Sequence, residues 1–180
     1  MATLTVDDWV EAGYAIVAEE GLNALQIDRL CAQLGVTKDS FYSHFADMPG
    51  YRSALLESWA QVRDEDRRHI AQLGDIPPRE RMQLMMTSMV RPRQWTLERA
   101  MRDWARSDGT VAAAVRSADR RLLKAVWQAF CDYGFDAEEA SLRATTFFAA
   151  GLGLLHMSGP IPEKQSAQQR ERFLDFLLRP

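Results

Sequence analysis

Apolar residues recur every three or four positions along most of this chain, and that spacing is typical of amphipathic α-helices. Ile27, Leu30, Cys31 and Leu34 follow it closely and therefore share one helix face. Gly35 predicts the end of this helix, because the residue just past a helix end often needs the positive φ that glycine tolerates. No convincing strand alternation is present, so the pattern predicts an all-α protein.

A second, much shorter helix is predicted directly after this glycine. Phe41 and Phe45 lie four positions apart, which places both on its buried side. The hydroxyl of Thr37 can cap its first turn. Two short helices joined by a tight turn that contains a glycine form a helix-turn-helix.

The opposite face of the short helix carries polar side chains. With both phenylalanines directed inward, Lys38, Asp39, Tyr42 and His44 lie on or near the solvent-facing arc. Such groups can contact phosphates and base edges in the major groove of DNA. The alternative is a helical corner that only packs on its own domain, and spacing alone leaves both interpretations open.

The pattern as a whole predicts about nine helices. Thr5 and Asp8 form a capping box, with Asp in place of the usual Glu or Gln, that opens helix 1. Pro49 and Gly50 predict a turn, so helix 4 is expected to start near Tyr51. The later helices are predicted over residues 79–89, 95–107, 110–133, 136–156 and 166–178.

Composition favours a soluble, cytoplasmic protein. Hydrophobic residues make up 47% of the chain, yet no apolar run reaches the length of a membrane span. No basic and then apolar segment opens the sequence, so we expect no secretory signal. Cys31 and Cys131 lie far apart and do not suggest a disulfide framework, which favours a reducing compartment.

The residues that enzymes use are scattered. The three histidines lie on separate predicted helices, without the i, i+4 spacing of a metal pair. Neither a glycine-rich phosphate loop nor a Gly-x-Ser-x-Gly elbow is present. We therefore expect no catalytic site, no metal and no cofactor.

Three stretches resemble the DNA-binding domain of the tetracycline-repressor (TetR) family. They are Glu-Gly-Leu-Asn-Ala-Leu-Gln-Ile at 20–27, Leu-Gly-Val-Thr-Lys-Asp-Ser-Phe-Tyr-Ser-His-Phe at 34–45, and Tyr-Arg-Ser-Ala-Leu-Leu-Glu at 51–57. The shared pattern spans about residues 5–60. The resemblance implies an all-α homodimer with an operator-binding N-terminal domain and a C-terminal domain that responds to a small molecule.

On this resemblance, residues 1–50, called the head from here on, form the helix-turn-helix DNA-binding domain. Helix 4 at 51–73 connects the head to the rest of a 51–180 domain for effector binding and dimerisation. Family members usually carry a lysine in the turn before helix 4 that meets the DNA backbone, and here Met48 and Pro49 occupy that place, so this contact is not expected. The residues expected to contact DNA are Gln26, Thr37, Lys38, Ser40, Tyr42, His44 and Arg52.

The charge of the head is unusual for a DNA-binding domain. The chain has a net charge of −3, but the head alone has two basic residues against eight acidic ones. Phosphate neutralisation dominates affinity for DNA, so a basic surface is the ordinary signature. We therefore expect Arg29, Lys38, Arg52 and the helix N-termini to make the phosphate contacts.

Helices 8 and 9 carry more apolar surface than a helical body needs for its own core. Small residues such as Gly151 and Gly153 would allow another helix to approach closely. A four-helix dimer interface is expected, and burial within the monomer is the alternative. The interface residues proposed from sequence are Phe148, Leu152, Leu155, Phe173 and Leu177.

Methionine and tryptophan are concentrated in the middle of the chain. Methionine is adaptable and polarizable, so such residues can line a cavity for an apolar or aromatic effector. Ordinary core packing is the alternative interpretation. The candidate ligand-binding residues are Met82, Met86, Met89, Met101, Trp104 and Trp127.

These observations lead to one hypothesis and one alternative. The hypothesis is a ligand-responsive repressor that binds a palindromic operator as a homodimer. The alternative is a helical ligand-binding or protein-interaction module that has lost operator binding, and the acidic head and Met48 favour it.

Overall fold

The computed structural model describes residues 4–72, 74, 76–89, 92–157 and 163–179. Across these ranges the chain forms nine α-helices, with a 3₁₀ turn at Leu22–Ala24 and no strand, which confirms the all-α prediction. The helices are α1 (Val6–Glu20), α2 (Ile27–Leu34), α3 (Lys38–Tyr42), α4 (Met48–Gln72), α5 (Pro78–Met89), α6 (Pro92–Trp104), α7 (Gly109–Tyr133), α8 (Ala137–His156) and α9 (Glu163–Leu177).

The ends of the first two helices follow the sequence signals. The Thr5 backbone N–H donates to Asp8 Oδ2 at 2.7 Å and the Asp8 N–H donates to Thr5 Oγ1 at 3.3 Å, so the predicted capping box is formed. Gly35 has a φ of +66° at the end of α2. Its geometry lets the Val36 N–H donate to the Cys31 carbonyl at 3.0 Å, which closes the turn into α3.

Helix α4 begins earlier than predicted. The structure places Pro49 and Gly50 in its first turn, where the missing N–H of proline costs nothing. The carboxylate of Asp47 accepts a hydrogen bond from the Gly50 N–H at 2.8 Å and caps this start. The prediction that these residues separate two helices was therefore wrong. Pro92 opens α6 in the same way, three residues before the predicted start.

The chain divides into two compact units. The first contains Met1–Asp64 and Thr96–Val115, and the second contains Glu65–Trp95 and Arg116–Pro180. The first unit thus includes part of α6 and the start of α7 together with the head. The domain boundary at residue 50 stays a prediction.

The second unit has its own hydrophobic core, to which α5, α7, α8 and α9 contribute. Arg143 of α8 binds the end of α9, because its guanidinium donates to the carbonyls of Leu177 and, at 2.7 Å, Arg179. The core consists of Met82, Met85, Met86, Val126, Ala129, Phe130, Ala140, Ala144, Phe147, Leu174, Leu177 and Leu178. In the described part of the chain, no helix combines the length and apolarity needed to cross a membrane.

Candidate nucleic-acid interface

A cluster of aromatic rings holds the short helix α3 in place. Phe41 is fully buried, with its ring centroid 5.5 Å from that of Trp9, 5.4 Å from that of Phe45 and 5.7 Å from that of Tyr51. Several of these rings meet edge to face, which is a favoured aromatic geometry. The two phenylalanines are therefore on the buried side of α3, as predicted.

One contact joins the start of α4 directly to α1. The phenol of Tyr51 is buried and donates a hydrogen bond to the Trp9 carbonyl at 2.8 Å. Gly13 provides the room, since a Cβ there would stand 2.0 Å from the Tyr51 hydroxyl oxygen. Burial raises the pKa of Tyr51 above its ordinary value, so the phenol stays protonated and continues to donate.

A second phenol connects the same two helices. Tyr14 Oη donates to the Leu55 carbonyl at 2.6 Å. Burial raises the pKa of Tyr14 to about 12. Together with the Tyr51 hydrogen bond, this bond holds α1 and α4 against each other, and α3 packs on both.

The solvent-facing side of α3 presents the predicted polar residues. Tyr42 is 55% exposed, while its ring edge still contacts Phe41 at a centroid distance of 5.5 Å. Thr37 and Lys38 are also exposed, and Ser40 is half-buried. Thr37 stands at the N-cap position, but its hydroxyl accepts no capping hydrogen bond, so that detail of the prediction was wrong.

His44 lies differently from its predicted place. It follows the end of α3, and its backbone N–H donates to the Phe41 carbonyl at 3.0 Å. The ring is half-buried, with its centroid 6.2 Å from those of both Trp9 and Phe45. The helix ends too early to keep His44 on the outward arc, so the ring covers the edge of the aromatic cluster.

The remaining predicted DNA contacts lie on neighbouring elements. Gln26 is exposed at the N-cap of α2, and its side-chain amide donates to the Asn23 carbonyl at 3.2 Å instead of capping the helix. Arg52 is half-buried in the second turn of α4. Both positions belong to the first compact unit, together with α3.

Both basic residues of the head are engaged by acids. Lys38 Nζ lies 2.6 Å from Asp28 Oδ1, and this ion pair joins α3 to α2. Arg29 holds the carboxylate of Glu20 through its Nε and its terminal nitrogen, at 2.9 Å and 2.6 Å. These bonds raise the pKa of Lys38 and lower that of Glu20. Sequence reasoning missed the pairs, because partners nine and ten residues apart on different helices leave no periodic signal.

The residues proposed for effector binding fall into both units. Met82, Met86 and Trp127 belong to the second unit, where both methionines are buried in its core. Met101 and Trp104 are buried in the first unit. The side chain of Met89, the sixth candidate, lies outside the described residues. The effector site stays a prediction.

The residues proposed for dimerisation are more buried than the sequence suggested. Leu155 and Leu177 are 4% exposed within the chain itself, and Phe173 packs against the same core. Phe148 and Leu152 are half-buried. The prominently exposed apolar side chains of α8 and α9 are instead Leu142 and Phe176, at 64% and 62%. The prediction favoured the most apolar runs of the sequence. Those runs are the segments that the chain buries within its own core.

The residues from α1 to the first turn of α4 match a known family. The sequence model of the bacterial regulatory proteins of the tetR family covers residues 10–50. Residues 10–50 of the head therefore belong to the tetR family. No curated protein matches the chain.

Solved structures share the fold of this chain over nearly its whole length. A transcriptional regulator from Rhodococcus sp. Rha1 has a TM-score of 0.75 at 18% identity, over 97% of this chain and 94% of that one. A ketosteroid transcriptional regulator of Mycobacterium tuberculosis has a TM-score of 0.68 at 18% identity, over 99% and 95%. A structure from Saccharomonospora viridis, described as a regulator in complex with choline, has a TM-score of 0.71 at 16% identity, over 94% and 95%.

These likenesses show that the chain has the fold of TetR-family transcriptional regulators, with a helix-turn-helix head and a helical C-terminal part. The family consists of regulatory proteins, which agrees with the expectation that the chain is not an enzyme. Within the described residues, no group of three or more His, Cys, Asp or Glu side chains is placed to hold a metal ion.

Proposed function

We propose that the protein is a ligand-responsive transcriptional repressor that binds a palindromic operator as a homodimer. The observation that carries this proposal is the two-sided character of α3. Its inner side is held by buried aromatic rings, and its outer side presents Tyr42, Thr37 and Lys38 to solvent. A short helix with this exposure can enter the major groove and contact phosphates and base edges.

Dimerisation follows from the need to read two half-sites. A two-fold dimer sets two recognition helices into successive major grooves, about one helical turn apart. The exposed Leu142 and Phe176 lie on α8 and α9, and Ala149 and Gly153 supply small exposed residues along α8. We propose that these residues form the face that meets the second copy, with the half-buried Phe148 and Leu152 beside them.

The effector is proposed to bind in the C-terminal part, whose methionine-rich core can adapt to an apolar guest. A regulator of similar fold in complex with choline supports a small-molecule effector. An effector that weakens operator binding must itself bind less tightly to the DNA-bound form, by the same factor. Because operator DNA is the partner, we place the protein in the cytoplasm.

The DNA-binding test uses a duplex that spans the region upstream of the protein's own gene. We expect retardation of this duplex at low salt, at lower protein concentrations than a random duplex of equal length requires. A folded dimer that retards neither duplex would contradict the proposal and would favour the ligand-binding or protein-interaction module. A reporter gene behind the same region separates repression from activation.

The dimer test uses sedimentation velocity on Phe176→Glu. A charge at the centre of an apolar interface is costly, so we expect this variant to sediment as a monomer under conditions where the parent protein is a dimer. Leu84→Glu is the matched control, because Leu84 is an exposed apolar residue on α5. A Phe176→Glu variant that remains a dimer would contradict the proposed face.

A further inference from the structure

The head contains two basic residues, and its own acids occupy both of them. Lys38 Nζ contacts Asp28 Oδ1 at 2.6 Å. The Arg29 guanidinium donates hydrogen bonds to the Glu20 carboxylate from two of its nitrogens. The same segment carries six further acidic residues. Each cation of the head is therefore already partly neutralised by a carboxylate when a phosphate approaches.

The Lys38–Asp28 pair lies at the start of α3, the helix that we propose to enter the major groove. Lys38 is the first residue of α3, and Asp28 lies in the first turn of α2. The Lys38 and Asp28 side chains are 58% and 74% exposed, so neither is held in place by burial. Exposed ion pairs of this kind contribute little to folding stability. Their main effect is on the electrostatic potential that an approaching polyanion meets.

A phosphate that binds Lys38 has to displace Asp28 or share the ammonium group with it. In either case the carboxylate remains close to the phosphate and repels it, because the two helices are joined by a tight turn. The same exchange applies to Arg29 and Glu20. Each pair thus subtracts from the counterion release that normally drives proteins onto DNA.

We propose that Asp28 and Glu20 are built-in competitors of the DNA backbone, which hold Lys38 and Arg29 and so limit the affinity for DNA. This inference rests on the proposed function and adds the residues that set its strength. It assigns the low affinity expected of an acidic head to two side chains that can be replaced one at a time.

The alternative role of the pairs is purely structural. An ion pair that only fastens α2 to its neighbours would, when broken, lower the stability of the head and weaken DNA binding. The competitor role requires the opposite change in affinity. The sign of the effect therefore separates the two roles.

The experiment measures the affinity of Asp28→Asn for the upstream duplex and for a random duplex, by fluorescence anisotropy over a range of salt concentrations. Asparagine keeps the shape of the side chain and removes its charge. We expect tighter binding to both duplexes, by about three- to tenfold at low salt, and a log K against log salt slope that is steeper by about 0.9. Glu20→Gln should act in the same direction through Arg29.

The matched control is Asp7→Asn, which makes the same charge change at an exposed position in the first turn of α1. If Asp28→Asn and Glu20→Gln bind DNA no more tightly than Asp7→Asn, the inference is overturned while the proposed function stands. If the parent protein binds neither duplex and the double variant gains binding, the inference is supported. If every variant fails to bind at low salt, the proposed function fails together with the inference.

Discussion

The head and the second compact unit bury their apolar residues in different ways. Around α3, the core is built from large rings that meet edge to face, with Trp9 and Phe41 at its centre. In the second unit, methionines and alanines are prominent, as in Met82 and Met86 on α5 and Ala140 on α8. The core around α3 consists of rigid rings, whereas the core of the second unit contains side chains that can repack.

This difference matches the different tasks that we propose for the two regions. Rings in defined contact geometry hold a recognition helix in one orientation, which groove reading requires. Unbranched methionine side chains fill irregular spaces and tolerate changes in their surroundings, which suits the effector binding that we propose for the C-terminal part. We therefore expect the head to tolerate core substitutions poorly and the second unit to tolerate them better.

The largest effect is expected from Phe41→Ala in the head. It empties the centre of the aromatic cluster, so the free energy of unfolding should fall by about 3–5 kcal/mol. Met82→Leu in the second unit, an equally buried position, should cost less than about 1.5 kcal/mol because the volume is conserved. Phe41→Leu provides the matched conservative change in the head, and urea unfolding of each variant measures the difference. Equal costs for Phe41→Leu and Met82→Leu would remove the contrast between the two cores.

A smaller but sharper effect is expected from Gly13→Ala. The added Cβ would stand 2.0 Å from the Tyr51 hydroxyl oxygen and 3.1 Å from Leu55 Cδ2, so the Tyr51 side chain, or α4 with it, has to shift away from α1. We expect a loss of about 1–3 kcal/mol in the free energy of unfolding, with a parallel loss of DNA affinity.

Gly109→Ala is the control for this change, because no neighbouring atom lies within 4 Å of a Cβ at that position. It should leave both quantities nearly unchanged. The double variant Gly13→Ala/Tyr51→Leu removes the clashing phenol and should recover part of the lost affinity. No recovery in the double variant would mean that Tyr51 does not set the position of α3.

These contacts show how far the sequence could be interpreted. The helix periodicity, the Gly35 stop and the inward phenylalanines are local signals, and the structure confirms them. Gly13 and Tyr51 are 38 residues apart, so no local sequence pattern indicates that Gly13 leaves space for the Tyr51 side chain. The start of α4 was misjudged for a simpler reason: a proline suits the first turn of a helix as well as it suits a turn.

The candidate site was only partly visible for similar reasons. Tyr42 and Lys38 could be placed on the outward face from spacing alone, and both are exposed. The half-buried position of His44 depends on where α3 ends, and the ends of short helices are poorly specified by sequence. The partner of Lys38 depends on the angle between two helices, which periodicity does not encode.

A moderate effect is expected at high pH. Burial raises the pKa of Tyr14 to about 12, from 10.0 for an exposed phenol. The folded state therefore holds its proton more tightly than the unfolded state does, so the stabilisation is complete below pH 10 and is lost as the pH rises towards 12. Urea unfolding across this range should show a steeper fall for the parent protein than for Tyr14→Phe. Parallel curves would show that Tyr14 does not contribute to the pH dependence.

The smallest effect concerns salt. Because the head offers two paired cations, the slope of log K for operator binding against log salt should be shallow. Titration of the upstream duplex between low and moderate salt measures it. A slope of about −10, as for repressors with many phosphate contacts, would contradict the account of the head.

The most direct test of the proposed role of α3 compares two exposed tyrosines, one in the head and one in the second compact unit. Tyr42 on α3 is 55% exposed, and Tyr133 at the end of α7 is 42% exposed. Operator affinity and thermal stability are measured for Tyr42→Ala and Tyr133→Ala. The account predicts that Tyr42→Ala weakens operator binding by about tenfold or more without lowering stability, while Tyr133→Ala changes neither. Equal operator affinities for the two variants would contradict the claim that α3 reads DNA.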